Sequence, residues 1–185
     1  MTRPGGARVR EADIADLDAI TAIYAHYVRH SVASFEEVPP GRADMAERYR
    51  AILADGLPYL VAELEPRGVR GYAYAGAYHR RPGYRYALEN SVYVAPEAQG
   101  QGLGRALMTA LIERCTALGY RQMIAVIGVG ETRASIRLHE SLGFRPAGTL
   151  AAVGFKFGRW IDCAIMQRPL GEGAETLPER APDGP

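Results

Sequence analysis

Two side chains have the right chemistry to move protons near neutral pH, and between them lies a stretch suited to an anion. Glu89 stands in Glu89-Asn90-Ser91-Val92-Tyr93-Val94, an acidic residue in an otherwise strand-like apolar run. Burial there would raise its pKa toward that of a useful base. His139 stands in Arg137-Leu138-His139-Glu140-Ser141-Leu142-Gly143-Phe144, one helical turn before a glycine stop. An imidazole there can give or take a proton. Taken as residues alone, each has a plainer reading. Glu89 can alternate outward on a sheet face, and His139 can be a hydrogen-bonded structural residue.

The stretch between them opens as a strand through Val92, Tyr93 and Val94 and breaks at Ala95-Pro96. It then runs Gln99-Gly100-Gln101-Gly102-Leu103-Gly104-Arg105 into an amphipathic helical pattern. Strand, glycine-rich turn and helix start in that order bring bare backbone N–H groups and the positive end of a helix dipole together. A phosphate suits such a place. The spacing G-x-G-x-G fails the dinucleotide fingerprint at its last glycine, and no Gly-Lys-Ser/Thr follows to make a P-loop. Alone, the run also reads as a tight turn and nothing more.

The order Q-x-x-G-x-G after a V-Y-V strand resembles the GNAT superfamily of acyl-CoA-dependent N-acetyltransferases. Four segments, ENSVYV, AVIG, RLHESLGF and GFKFGRW, occur in the order of its phosphinothricin and methionine sulfoximine N-acetyltransferase branch, and the resemblance runs from about Arg8 to Leu170. It implies acetyl-CoA as co-substrate, no metal, and a homodimer. It makes Glu89 the general base, directly or through water, and His139 the acid or second base where many members carry tyrosine. The backbone of Val92, Tyr93 and Val94 would splay from its neighbour to take the pantetheine and meet the oxyanion. Gln99, Gly100, Gln101, Gly102, Leu103, Gly104 and Arg105 would hold the pyrophosphate. Ser135 and Thr132 complete the expected cofactor set, but relatives usually carry Asn where this chain has Thr132. A hydroxyl is shorter and has one donor instead of two, so a weaker contact or a water bridge follows.

On the acceptor side the resemblance assigns His79, Arg80, Arg81 and Tyr84, with Phe35 as a wall. Guanidinium groups fit the oxygens of a phosphinate or sulfoximine. The plainer reading of 79–84 is a solvated basic loop. Of the 22 basic residues Lys156 is the only lysine. It is expected to face the same cavity, across a dimer interface, or else to be a surface lysine between core phenylalanines. The implied activity is acetylation of the α-amino group of a small amino-acid analogue. The alternatives are another small amine or a protein N-terminus, and a non-catalytic acyl-CoA-binding module, which would be expected to lack the acid or the base.

The elements that must position these groups are legible in the pattern. A chain of 185 residues supports one domain with a sizeable core. Residues 1–6 are expected to be flexible, 7–170 to form the domain, and 171–185, rich in Gly, Pro and Glu, to be disordered. A strand at 7–10 precedes a helix capped by Asp13 or Asp16 with apolar positions every three to four residues. A second helix is expected over 43–54. Strands follow over 59–64, 69–78 and 86–94, then the glycine turn and its helix. Residues 122–128 read as a strand buried on both faces. A short helix, capped by Thr132 and ending at Leu142, and strands over 147–155 and 159–167 complete an α+β fold: a central mixed, mostly antiparallel sheet with helices on both faces. A net charge of +1 gives no case for nucleic acid or a membrane surface. Without a long apolar run or a leader pattern, the expected location is the cytoplasm. Cys115 and Cys163 read as reduced core thiols, and four scattered histidines offer no metal cluster.

Overall fold

A computed structural model describes residues 7–130 and 133–178. Residues 1–6 and 179–185 therefore lie outside the described residues, as does Thr132. The elements run β1 (Arg8–Glu11), α1 (Leu17–His30), α2 (Arg42–Ala54), β2 (Tyr59–Leu64), β3 (Gly68–Ala77) and β4 (Ala87–Val94) in the first half. The second half adds α3 (Leu103–Ala117), β5 (Gln122–Gly128), α4 (Ala134–Ser141), β6 (Arg145–Lys156) and β7 (Arg159–Pro169). The seven strands form one sheet in the order β1-β2-β3-β4-β5-β7-β6. Every neighbouring pair is antiparallel except β4 with β5.

The entry to α1 is fixed by reciprocal caps. The Asp13 carboxylate accepts from the Ala15 amide at 2.9 Å and the Asp16 carboxylate accepts from the Asp13 amide at 2.7 Å, in a short 3-10 turn that leads into the helix. Arg10 then joins that turn to the sheet, donating to Asp16 at 2.6 and 2.8 Å and to Glu63 of β2 at 2.9 Å. The hydrogen bonds from Arg10 hold the Asp16 carboxyl below the usual carboxylate range.

Alternation along β3 sorts the helices onto opposite faces. Tyr72 and Tyr74 stack with Tyr59 on the face covered by α1 and α2, and Tyr72 also stacks on Tyr93 of β4. Gly71 points the other way, where a Cβ would press within 3.1 Å of Leu107 on α3. The core on that side is Leu103, Leu107, Met108, Leu111 and Cys115 of α3 against Leu88 and Met123 of the sheet.

One expectation is corrected. The strand over 122–128 is not buried on both faces along its length: Met123, Ile124 and Ala125 are, but Val126 is 41% exposed. Its apolar second half faces a cavity instead of a packed layer. Of the expected tail, 171–178 forms turns and bends, and 179–185 lies outside the described residues. The turns are tied down by Arg121, which donates to the Thr176 hydroxyl at 2.8 Å, and by the Leu170 amide on the Arg121 carbonyl at 2.9 Å.

Leu107 is fully buried beneath the notch left by Gly71. Leu107→Ala is expected to cost about 2–5 kcal/mol, read as a lower urea midpoint at unchanged slope.

Candidate active site

The site begins where two parallel strands stop pairing. β4 and β5 are in register only at Ala87, Leu88 and Glu89, opposite Gln122, Met123 and Ile124. Beyond that point β4 stays on β3 as far as Val94, and β5 stays on β7 as far as Gly128. The two therefore part as a V. Asn90 sits in the crotch, its side-chain amide donating to the Ile124 carbonyl at 2.9 Å across the gap.

The open edge of β4 can be read from the register. The Ala95 amide donates to Arg70 of the β3 side at 2.8 Å, so alternation turns Tyr93 and Ser91 toward β3 and the N–H groups of Val92 and Val94 into the gap. The Val94 carbonyl, on that same edge, accepts from the Tyr27 hydroxyl at 2.6 Å. After β4 the chain makes a 3-10 turn over Pro96–Ala98 and passes through Gly100 and Gly102 at φ +73° and +84°, a region costly for a side chain. α3 then starts. Its first intrahelical bond is from the Ala106 amide to the Gly102 carbonyl, which leaves the N–H groups of Leu103, Gly104 and Arg105 without helical acceptors. They face outward together with the positive end of a 15-residue helix.

A cavity of about 1340 Å³ runs through the V. Its lining includes Gln99, Gly100, Gly102, Gly104, Arg105, Arg133 and Ser135. It also includes Glu89, Ser91, the 31–36 loop, Phe157 and Arg159. Glu89 is half-buried, and burial pushes its carboxyl above the usual value of 4.5, with a smaller opposing pull from His79. His139 lines the middle and is only 2% exposed. Its Nδ1 lies 2.8 Å from the Ser135 carbonyl and its Nε2 3.0 Å from the Asn90 side-chain oxygen. The Ile124 carbonyl can only accept, so it turns the Asn90 amide nitrogen to itself and the oxygen to the ring. Both ring nitrogens thus face acceptors, an arrangement that suits the imidazolium, while burial pulls the ring's pKa below 6.5.

The model of the acetyltransferase (GNAT) family matches residues 21–144 of this chain. The chain belongs to that family. Among curated GNAT relatives, phosphinothricin N-acetyltransferase of Alcaligenes faecalis is 56% identical over 164 residues, covering 89% of this chain and 83% of the relative. The L-methionine sulfoximine/L-methionine sulfone acetyltransferase of Salmonella typhimurium is 43% identical, covering 90% and 96%. A crystal structure of a GNAT superfamily phosphinothricin acetyltransferase from Sinorhizobium meliloti, in complex with AcCoA, superposes with a TM-score of 0.92 at 52% identity, covering 96% of this chain and 95% of that one.

Within this GNAT domain the structure gathers most of the residues expected at the site, but not all. Glu89, His139, Val92, Tyr93, Val94, Gln99, Gly100, Gly102, Leu103, Gly104, Arg105, Ser135 and Phe35 line the cavity. Gln101 does not; its amide turns back to the Glu97 carbonyl at 3.2 Å. The basic loop stays outside. His79 packs on Tyr78 and Tyr84 and reaches Glu89 only through its charge, and Arg80, Arg81 and Tyr84 are exposed and line no part of the cavity. Lys156 is neither on the surface nor in the cavity: its ammonium is buried beneath the 31–36 loop, bonded to the Ser31 and Ser34 carbonyls. Thr132 lies outside the described residues.

Sequence reasoning missed Asn90, Tyr27, Arg133, Arg159 and residues 31–34. Asn90 had a signal, a second polar residue beside Glu89 in an apolar strand. Tyr27 had none, because it sits on the apolar stripe of α1 and only its hydroxyl serves the site.

The raised pKa of Glu89 has a consequence for stability. A carboxyl whose folded pKa exceeds its unfolded one stabilises the fold when protonated, and that contribution is lost as pH rises through the folded value. Glu89→Gln is therefore expected to melt higher than wild type at pH 7, with the difference shrinking as pH falls through the raised folded value and gone below about 4.5. Thermal melts over a pH series measure it.

Proposed function

We propose that the chain moves the acetyl group of acetyl-CoA to the α-amino group of a small amino acid of the phosphinothricin or methionine sulfoximine/sulfone type. The observation that carries this reading is the position of Glu89. A desolvated carboxylate stands at the last paired position before β4 and β5 part, in the one cavity that also receives the glycine turn. The residues fit the co-substrate: free N–H groups at the start of α3 and Arg105 suit its phosphates, and the gap beside Val92 and Val94 suits an extended chain.

Acetyl-CoA brings the thioester; the amine adds to its carbonyl carbon to form the N–C bond, the C–S bond then breaks, and the second proton shed by the acylated nitrogen balances the charge on the departing sulfur. Glu89 accepts the proton of the incoming ammonium, directly or through water, and its raised pKa brings it closer to that task. The N–H groups of Val92 and Val94 stabilise the negative charge that develops on the carbonyl oxygen. His139 protonates the leaving sulfur only by giving up one of its two contacts, so it carries the smaller part. Thiol release by acetyl-CoA with phosphinothricin, methionine sulfoximine and methionine sulfone, beside a panel of polyamines, aminoglycosides and peptides with a free N-terminus, tests the substrate. Turnover confined to the panel contradicts the reading. Glu89→Gln is expected to lower kcat/KM about 10²-fold or more, and His139→Ala by less.

The working unit in this reading is a homodimer in the cytoplasm. Two buried free thiols, Cys115 and Cys163, suit a reducing compartment. What supports the dimer is the open edge of the sheet. β6 ends it, and Leu150, Val153, Phe155, Phe157 and Trp160 of the β6–β7 hairpin are each at least half exposed. So much exposed apolar surface on one hairpin calls for a partner, and a second copy is the one always at hand. Light scattering is expected to give the mass of two chains for wild type and of one for Trp160→Glu combined with Val153→Glu. A monomeric wild type contradicts it.

A further inference from the structure

The segment Gly154-Phe155-Lys156-Phe157-Gly158-Arg159-Trp160 takes no part in the glycine turn or the proton transfers. Yet it reaches beneath the 31–36 loop, which lines the same cavity as Glu89. That loop has no ladder of its own. Between α1 and α2 its backbone is neither helix nor strand, so whatever holds it must be side chains.

Three sets of contacts hold it. Lys156, 2% exposed, donates from Nζ to the Ser31 carbonyl at 2.9 Å and the Ser34 carbonyl at 2.6 Å, and lies 5.0 Å from the centre of the Phe157 ring. The far end of the loop is tied by Glu36, which accepts from Arg48 at 2.6 and 3.2 Å and from the Tyr24 hydroxyl at 2.8 Å. The middle lies on two glycines. A Cβ at Gly154 would collide with the Phe35 ring, and one at Gly128 with the Val32 carbonyl. The loop thus lies flat on β5 and β6, and only residues without a side chain allow that approach.

A buried ammonium is costly compared with an apolar side chain of its size, unless its hydrogens and charge are answered. Here two carbonyls answer it, and Glu36 and Glu37 add favourable charge. An apolar residue would fill the same space but would leave both carbonyls unbonded and free to shift. Both carbonyls belong to residues that line the cavity.

We propose that Lys156 is a positioning residue for the amino-acid acceptor: it touches no substrate, and by holding the Ser31 and Ser34 carbonyls it sets the 31–36 loop as the wall that selects the acceptor. The proposal rests on the acetyltransferase reading of the cavity. The wall it sets includes Phe35 and lines the same cavity as Glu89, and a displaced loop is expected to enlarge the space for the acceptor while leaving the glycine turn as it is.

Steady-state kinetics with each substrate varied separately test it. Lys156→Met is expected to raise KM for the amino-acid acceptor about tenfold or more, while KM for acetyl-CoA stays within about twofold. Lys156→Arg, which keeps the cation and its donors, is expected to recover much of the loss. Gly154→Ala, which displaces Phe35 without touching the ammonium, is expected to reproduce the acceptor-side defect. An unchanged acceptor KM in Lys156→Met, or equal losses toward both substrates, overturns the proposal. Amide exchange across residues 33–36 without substrate keeps the two readings apart. It is expected to quicken in Lys156→Met even if wild type accepts none of the amines tried, and no change there overturns the clamp by itself.

Discussion

The site depends on β4 and β5 pairing for three residues and then separating. A sheet normally answers every backbone N–H and C=O along both edges of an interior strand, and leaving them open inside a protein is costly. Here β3 and β7 hold the outer edges of the two strands along their whole length, so the inner edges can stay apart without either strand fraying. Some of the open groups are answered from elsewhere: Tyr27 takes the Val94 carbonyl, and Asn90 takes the Ile124 carbonyl. The N–H groups of Val92 and Val94 face the gap. Everything placed around the gap follows from it. Glu89 stands at the crotch, the glycine turn receives β4 as it leaves the sheet, and His139 is held through Asn90 at the centre.

Most of the fold was legible because local rules and tertiary packing agree. Asp13 and Asp16 cap the short turn that leads into α1, as their types and spacing predict, the β2–β3 hairpin follows its turn residues, and the apolar run over 122–128 is a strand. Periodicity failed where a surface faces a cavity. Val126 looks like a residue of a doubly buried strand because a cavity wall and a packed core select the same apolar side chains. Composition does not show the contacts of 171–178, a Gly- and Glu-rich segment that Arg121 meets at Thr176 and Glu172.

The candidate site was legible only in part, and for a different reason. Glu89, the glycines and His139 announce themselves by type and spacing. The separation of the strands does not, since nothing in Val92-Tyr93-Val94 says which neighbour it lacks; that expectation came from resemblance. The basic loop at 79–84 was legible as charge but not as placement, because charge in sequence does not tell whether a guanidinium turns inward, and in the single chain Arg80 and Arg81 are exposed. Lys156 was misplaced for the opposite reason. A lysine beside phenylalanines reads as a surface residue or a cavity residue, and its partners are carbonyls of a loop more than a hundred residues away.

The central claim is that the open edge of β4 is a binding surface, and amide exchange resolved to single residues measures it directly. Added acetyl-CoA is expected to slow exchange at Val92 and Val94, whose N–H groups face the gap, and to leave Ser91 and Tyr93, already bonded to β3, as they were. Equal effects on all four, or none at Val92 and Val94, would contradict the account.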